Sequence, residues 1–296
     1  MIVLVVNPTK TSERSDLLRV VERLADEPVE LRETTPEDAG EGLARAAVAD
    51  GARLVLAAGG DGTVQAVACG LAGSGVPLGV VPLGTGNLLA RNLGLPLDRG
   101  DAVAVALGGR DRLIDLGSVQ FDEQPPTHFA VMAGLGFDAE MMSDAPAGLK
   151  SAVGWPAYVV SGLQHLRDRP HAVELLLDGS ATVRLSVRLS VRGVVVGNVG
   201  QLQAGVALLP DAVPDDGVLD VVALAPRHLA DWGRVILRLV TRSTRYDPAL
   251  RRWTARSIEL RSAVPVRAQL DGEPSGAVRR VRIVVRPAAL VVRVMR

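Results

Sequence analysis

Aromatic residues are scarce, at 3% of the chain, so any core must be built from aliphatic side chains, chiefly Val, Leu and Ala. Cysteine is almost absent. Cys69 stands alone, which excludes a disulfide framework and fits a reducing cytoplasm. Lysine is confined to Lys10 and Lys150; the remaining basic residues are arginine, a bias that fits genome composition. Net charge is also missing, because 33 Lys and Arg cancel 33 Asp and Glu. That balance argues against a protein that holds nucleic acid through bulk charge. Between Gly62 and Ala90 there is no charged residue at all, a length sufficient for a membrane span. The same stretch contains seven glycines, Pro77 and Pro82, which interrupt a helix rather than extend one. The apolar run at the start, Ile2 to Val6, is too short for a signal peptide and has no basic segment before it. The expectation is a soluble, cytoplasmic protein.

What is present is a folded composition: 48% hydrophobic and 22% charged over 296 residues, enough for two domains. The first third alternates strand and helix signals. Ile2 to Val6, Arg53 to Ala58 and Leu78 to Val81 read as buried parallel strands. Leu17, Leu18, Val20, Val21 and Leu24 recur at helical spacing, and Thr35-Pro36-Glu37-Asp38 reads as a capping box opening a second helix. This order predicts an α/β domain with a parallel sheet, whose ligands bind at the carboxyl ends of the strands. The character changes near Asp115. Val183 to Val191 alternates strictly, as an antiparallel strand with one wet face does. Further strands are read at 194–196, 218–224, 258–260, 266–270 and 281–285, with helices within 150–166 and 230–241. The division expected is an α/β unit over 1–118 and a mainly β, antiparallel unit over 119–296, whose last segment packs back on the first.

Three loops at the carboxyl edge carry the chemistry. Gly59-Gly60-Asp61-Gly62-Thr63 precedes a helix read from Val64 to Leu71. Glycines at a strand-to-helix turn let backbone N–H groups close on an anion, and the helix N-terminus adds a favourable dipole. Asp61 would repel bare phosphate, so it makes sense against a metal ion or a hydroxyl. Pro82-Leu83-Gly84-Thr85-Gly86-Asn87 repeats the design, and Val6-Asn7-Pro8-Thr9-Lys10 sits at the same edge. One such turn is ordinary; three converging on one edge point to a phosphate site.

These motifs, in order, resemble the diacylglycerol kinase catalytic domain family, which includes bacterial lipid kinases and sphingosine kinases. The resemblance runs through Asn7-Pro8, Gly59 to Thr63, Pro82 to Asn87, Ala90-Arg91, Leu93 to Pro96 and Gly134 to Ala139. It continues through Lys150, Gly154 and Tyr158, then Gly197-Asn198, Pro210, Asp216-Gly217 and Asp271-Gly272-Glu273. It implies a nucleotide-binding α/β domain, a sandwich-like β domain and an active site in the cleft between them. It also implies ATP, Mg²⁺ and a lipid hydroxyl acceptor, of diacylglycerol or sphingoid type.

By position, the resemblance assigns Asn7, Thr34, Gly59, Gly60, Asp61, Gly62, Thr63, Val64, Gln65, Ala66, Gly84, Thr85 and Asn87 to the nucleotide, with Thr35 kept as a helix cap. It gives Asp216 a structural Mg²⁺ site with the carbonyls of Val213 and Val218; the residues alone read equally as a turn. It makes Glu273 the base that takes the acceptor's proton, with Asp61 beside it in catalysis. Read alone, Asp271-Gly272 is a hairpin turn with a solvated glutamate next to it. Departures stand at Ala66 and Leu88, where the family often has carboxylates. They motivate one alternative, a catalytically silent nucleotide or lipid sensor. A second alternative, an NAD kinase-like enzyme, shares the G-G-D-G-T loop but has a T-P-T-G-S-T-A-Y segment with no counterpart here. The histidines show no metal-ligand spacing with Cys69, so no zinc is expected.

The zero charge hides a segregation. From Arg234 to Arg296 fifteen arginines face four acids, 15 − 4 = +11, and residues 1–233 carry 18 − 29 = −11. Between Arg234 and Arg256 seven arginines face Asp247 alone, around a helical pattern of Trp232, Val235, Ile236, Leu239 and Val240. Two readings stay open: a basic helix lying on an anionic membrane at the inner surface, or arginines paired with the acidic half. A homodimer is a further partner compatible with the sequence.

Overall fold

Hydrogen bonds join the strands of the computed structural model into one mixed sheet, which runs from the C-terminal half into the N-terminal half without a break. The structure describes residues 1–10, 14–136, 170–178, 184–202, 207–271 and 273–296. The helix read within 150–166, and the motif residues Lys150, Gly154, Tyr158 and 137–139, lie outside them.

The N-terminal half follows the alternation in the sequence. Strands β1 (Ile2–Val6), β2 (Val29–Glu33), β3 (Leu54–Gly59) and β4 (Leu78–Pro82) pair in parallel in the order β4-β3-β1-β2. β1, β3 and β4 are buried along their whole length, as strands covered on both faces must be. β2, at the edge, is half-exposed and has no apolar run, so it leaves little trace in the sequence. Helices α1 (Arg14–Leu24), α2 (Glu41–Ala49), α3 (Asp61–Leu71), α4 (Leu88–Asn92) and α5 (Arg99–Gly108) complete this half.

Two local expectations are corrected. The second helix opens at Glu41 rather than at the Thr35 box. The Asp38 carboxylate accepts the N–H groups of Gly40, Gly42 and Leu43, leaving Thr35 Oγ1 to accept only that of Asp38. A charged acceptor at the helix N-terminus, favoured by the dipole, displaces the weaker hydroxyl. The third helix begins at Asp61, not Val64, so the glycine loop runs straight into a helix N-terminus.

Among the described residues, the C-terminal half consists of antiparallel strands and helix α6 (Leu229–Val240). Its strands are β5 (Arg110–Phe121), β6 (Thr127–Phe129), β7 (Met132–Leu135), β8 (His171–Asp178), β9 (Arg184–Val191), β10 (Gly193–Gly197), β11 (Leu219–Leu224), β12 (Leu250–Ala255), β13 (Ser257–Leu270) and β14 (Glu273–Val294). The alternating segment read from Val183 falls in β9, antiparallel to β8. Segments read as separate strands at 258–260 and 266–270 are one strand, β13, with irregular register between Arg261 and Val266. β14 lies antiparallel to β13 and β5, then pairs in parallel with β4 through Val292 and Leu78. That single contact joins the two halves of the sheet.

Alternation along the strands separates two cores. Val221, Ala223, Val194 and Val196 face the β-sandwich interior, while Val222, Leu224 and Val195 face the layer that also buries α2, α3 and α4. No helix among the described residues is long and apolar enough to cross a membrane.

Candidate functional site

The loops after β1, β3 and β4 come together because their strands are neighbours in register: Val6 lies opposite Ala58, and Gly59 opposite Pro82. Close packing dictates their glycines. A side chain at Gly59 would put its Cβ 2.5 Å from Thr63 Cβ, and one at Gly84 would sit 2.8 Å from Gly60 Cα. The two glycine loops therefore touch backbone to backbone. The N–H of Leu83 donates to Gly59 O at 2.8 Å, and the Asn7 amide reaches Thr63 Oγ1 at 3.3 Å.

Asn87 locks the second loop. Its Oδ1 accepts the Gly84 N–H and its Nδ2 donates to Gly84 O, with its own backbone left-handed at φ 46°. Asp61 then ties the first loop to the second, accepting the N–H groups of Asn87 and Leu88 at the start of α4. Those bonds use two of roughly four lone-pair positions on the carboxylate, so it retains capacity for another partner.

The donors for an anion can be narrowed. The N–H of Val64 is spent on Gly60 O inside α3, so those that the helix end leaves free belong to Asp61, Gly62 and Thr63. Val64 and Ala66 are buried, and Gln65 turns away to donate to His128 O at 3.0 Å. Thr85 is exposed at the loop tip, whereas Thr34 is buried at the end of β2, its N–H on Val6 O. The exposed Lys10 lies over the first loop, its Cε 3.9 Å from where a Gly60 Cβ would be. Sequence reasoning quoted Lys10 without giving it a role; its proximity to Gly60 is the signal.

Asp271 is the site residue that sequence reasoning passed over. Leu270 pairs with Glu273, and Asp271 between them adopts a positive φ of 47°, as hairpin turns favour. The turn is not solvated at Asp271. Its carboxylate is 6% exposed and accepts the N–H groups of Met132 at 2.7 Å and Val131 at 3.2 Å, with Ala130 more distant. Burial, with Asp61 adding like charge, pushes its pKa up to about 7 despite those donors. Asp61 and Asp271 line one small pocket of about 10 Å³ with Gln65, Leu88 and Val131, the size of a single water. Glu273 opens β14 two residues beyond Asp271.

The turn assigned to a structural cation lies apart, just before β11. Asp216 is exposed and its Oδ1 accepts the Val218 N–H at 3.0 Å. The turn is anchored by Asp115, a carboxylate only 2% exposed. It accepts the N–H groups of Gly217 and Ala288, while its own N–H bonds to Pro214 O. One carboxylate with backbone carbonyls is an all-oxygen set, the chemistry that Mg²⁺ takes. For nucleotide phosphates the fit is the cradle itself, two glycine loops too close for side chains beside a helix N-terminus. Cys69 is buried, and burial pushes its thiol up to about 12, which keeps it protonated near neutral pH.

Comparison with known proteins agrees along the whole chain. Residues 1–119 match the diacylglycerol kinase catalytic domain, and residues 130–294 match the YegS C-terminal NAD kinase beta sandwich-like domain. A probable lipid kinase YegS-like protein of Xanthomonas campestris is 32% identical over 90% of this chain and 87% of its own. A diacylglycerol kinase of Mycobacterium tuberculosis is 34% identical over 68% of this chain and 65% of its own. The crystal structure of a putative diacylglycerol kinase from Bacillus anthracis superposes with a TM-score of 0.78, covering 99% of this chain and 94% of that one at 19% identity.

Proposed function

The chain belongs to the diacylglycerol kinase family and is a kinase, and from that premise we propose that it transfers the γ-phosphoryl group of ATP to a hydroxyl of diacylglycerol or a related, sphingoid-like lipid. The observation that carries this reading is the pocket shared by Asp61 of the G-G-D-G-T loop and Asp271 of the D-G-E hairpin. A phosphate cradle and an acid-bearing hairpin meeting at one point supply what phosphoryl transfer to an alcohol needs, phosphate positioning beside carboxylates.

In this reading residues 1–118 bind the nucleotide, residues 119–296 bind the lipid, and the reaction occurs between them. The N–H groups of Asp61, Gly62 and Thr63, with Thr85 and the Lys10 ammonium, hold the phosphates; Asn7, Thr34 and Asn87 shape the remainder of the site. Glu273 accepts the proton of the lipid hydroxyl as its oxygen bonds to the γ-phosphorus, the bond to the bridging oxygen breaks and ADP leaves. Asp61 and Asp271 fix the geometry around that oxygen. Mg²⁺, when bound, would neutralise phosphate charge, and Asp216 with the Val213 and Val218 carbonyls would hold a structural ion.

One observation favours a second reading. Ala66 and Leu88 replace residues that are often carboxylates in the family, and both are buried in apolar packing, so neither offers a metal ligand. A nucleotide-binding member without turnover has that arrangement. Incubation with labelled ATP and Mg²⁺ against a panel of dispersed lipids separates the two. Label on a diacylglycerol or sphingoid acceptor supports the kinase. ATP binding with no labelled lipid anywhere in the panel supports the silent member.

A further inference from the structure

The arginines of the C-terminal region fall into two groups. Six form internal ion pairs: Arg234 and Arg238 both reach Asp247, Arg261, Arg280 and Arg282 share Glu259, and Arg293 meets Asp111. Arg251 stacks over Trp253 at 4.9 Å. Arg242, Arg245, Arg256, Arg279 and Arg286 are exposed and meet no carboxylate among the described residues; of these, Arg242 and Arg245 stand together just beyond α6.

The helix end that presents them is unusual. Ser243 N–H donates to Arg238 O at 2.9 Å and Arg242 N–H to Leu239 O at 3.4 Å, the paired bonds that close a helix through one left-handed residue. That residue is Arg242, at φ 52°, where glycine would avoid the steric cost. Side chains that water disfavours surround it. Leu237, two residues from buried Val235 and so on the opposite side of α6, is 62% exposed; Val240 is 52% and Tyr246 77% exposed. Arg234, Leu237, Arg238, Thr241, Arg242 and Arg245 border an open hollow of about 610 Å³.

We propose that the C-terminal end of α6 and the turn after it, residues 237–246, dock the protein on an anionic lipid bilayer. The Arg242 and Arg245 guanidinium groups meet the phosphate layer while Leu237, Val240 and Tyr246 enter the boundary beneath it. A soluble polyanion would match the arginines and leave Leu237 and Val240 in water; a neutral apolar partner would strand the arginines. An anionic bilayer satisfies both. The purpose of docking rests on the lipid-kinase reading, which puts the acceptor in a membrane.

The test is co-sedimentation of the full chain with phosphatidylglycerol–phosphatidylcholine vesicles and with pure phosphatidylcholine vesicles, without ATP or acceptor. Binding to the anionic vesicles is expected, weakening as salt rises. Arg242→Gln with Arg245→Gln should weaken it by on the order of tenfold or more. Arg279→Gln with Arg286→Gln, which removes the same charge from β14, should leave it unchanged. Arg242→Gly separates docking from folding: it relieves the left-handed residue, so the protein should melt no lower while binding anionic vesicles more weakly. Leu237→Ser should also weaken binding. Equal binding to both vesicle types, equal loss in the β14 pair, or unchanged binding in the Arg242 and Arg245 pair would overturn the proposal. Phosphorylation of a short-chain, vesicle-free diacylglycerol, measured separately, isolates the enzymatic reading: transfer without docking overturns this inference alone, and docking without transfer overturns only that reading.

Discussion

Asp61 and Asp271, one at the start of α3 and the other in the hairpin before β14, line the same pocket, and the Asp61 charge adds to the cost of ionising buried Asp271. Each is held by backbone N–H groups from a third segment: Asp61 by Asn87 and Leu88, Asp271 by Val131 and Met132. The two carboxylates thereby hold together four stretches of chain distant in sequence.

Asp271 should make stability depend on pH. Its folded pKa of about 7 lies above the ordinary 3.8, so between these values the folded state keeps a proton that the unfolded chain has released. The stabilising contribution is complete below about pH 4 and is lost as pH rises through about 7. At ~1.4 kcal/mol per unit, a few kcal/mol is the upper limit. Asp271→Asn, neutral throughout, should flatten that slope. Denaturant midpoints of both proteins from acid to mildly alkaline pH check it; parallel slopes would contradict it.

Gly84 and Gly60 should respond differently to alanine. A Cβ at Gly84 meets the Gly60 backbone at 2.8 Å, whereas one at Gly60 makes ordinary contact at 3.6 Å. Gly84→Ala is expected to cost roughly 1–3 kcal/mol of stability and to abolish the stabilisation that ATP confers in a thermal melt. Gly60→Ala should melt close to the parent.

Lys10 is exposed, so its removal should leave the fold intact. Lys10→Ala is expected to weaken ATP binding by about 1–2 kcal/mol, roughly five- to thirtyfold, through loss of a charge-assisted contact with phosphate. Calorimetric titration with ATP, with the melting temperature unchanged, measures this directly.

Asp115 should matter more than its distance from the glycine loops suggests. Asp115→Ala strips a buried acceptor from the N–H groups of Gly217 and Ala288, each bonded at 2.7 Å. A loss of about 1–3 kcal/mol in stability is expected, the scale of hydrogen bonds to a charged group, because the half-buried Gly217 and exposed Ala288 can partly recover a partner in water. Any stabilisation by added Mg²⁺ should fall with it, because the turn bearing Asp216 loses its anchor.

How much of this could be read beforehand depends on whether the signal is local. Ile2–Val6 and Leu78–Pro82 are uninterrupted aliphatic runs, and the glycine loops follow them directly, so the carboxyl-edge site was legible. Edge strand β2 escaped because its exposed sequence, VELRE, lacks an apolar run. The start of α2 was misassigned because two capping candidates, Thr35 and Asp38, stand three residues apart and the carboxylate wins. Asp271 was illegible for a different reason. Asp-Gly is a correct turn signal, but its carboxylate is buried by Val131 and Met132, partners that no local pattern reveals. The basic C-terminal region left two readings open. Asp247 and Glu259 gather five of the arginines, while Arg242 and Arg245 meet no carboxylate among the described residues.

The central claim is that the D-G-E hairpin and the G-G-D-G-T loop act on one lipid hydroxyl. Transfer of label from ATP to diacylglycerol, measured for the parent, Glu273→Gln and Asp61→Asn beside ATP-induced thermal stabilisation, tests it most directly. The account predicts transfer by the parent and a loss of at least about a hundredfold in Glu273→Gln, with ATP stabilisation retained in that variant. Asp61→Asn should lose transfer to a similar degree. Full activity in both variants, or no labelled lipid from the parent, would contradict it.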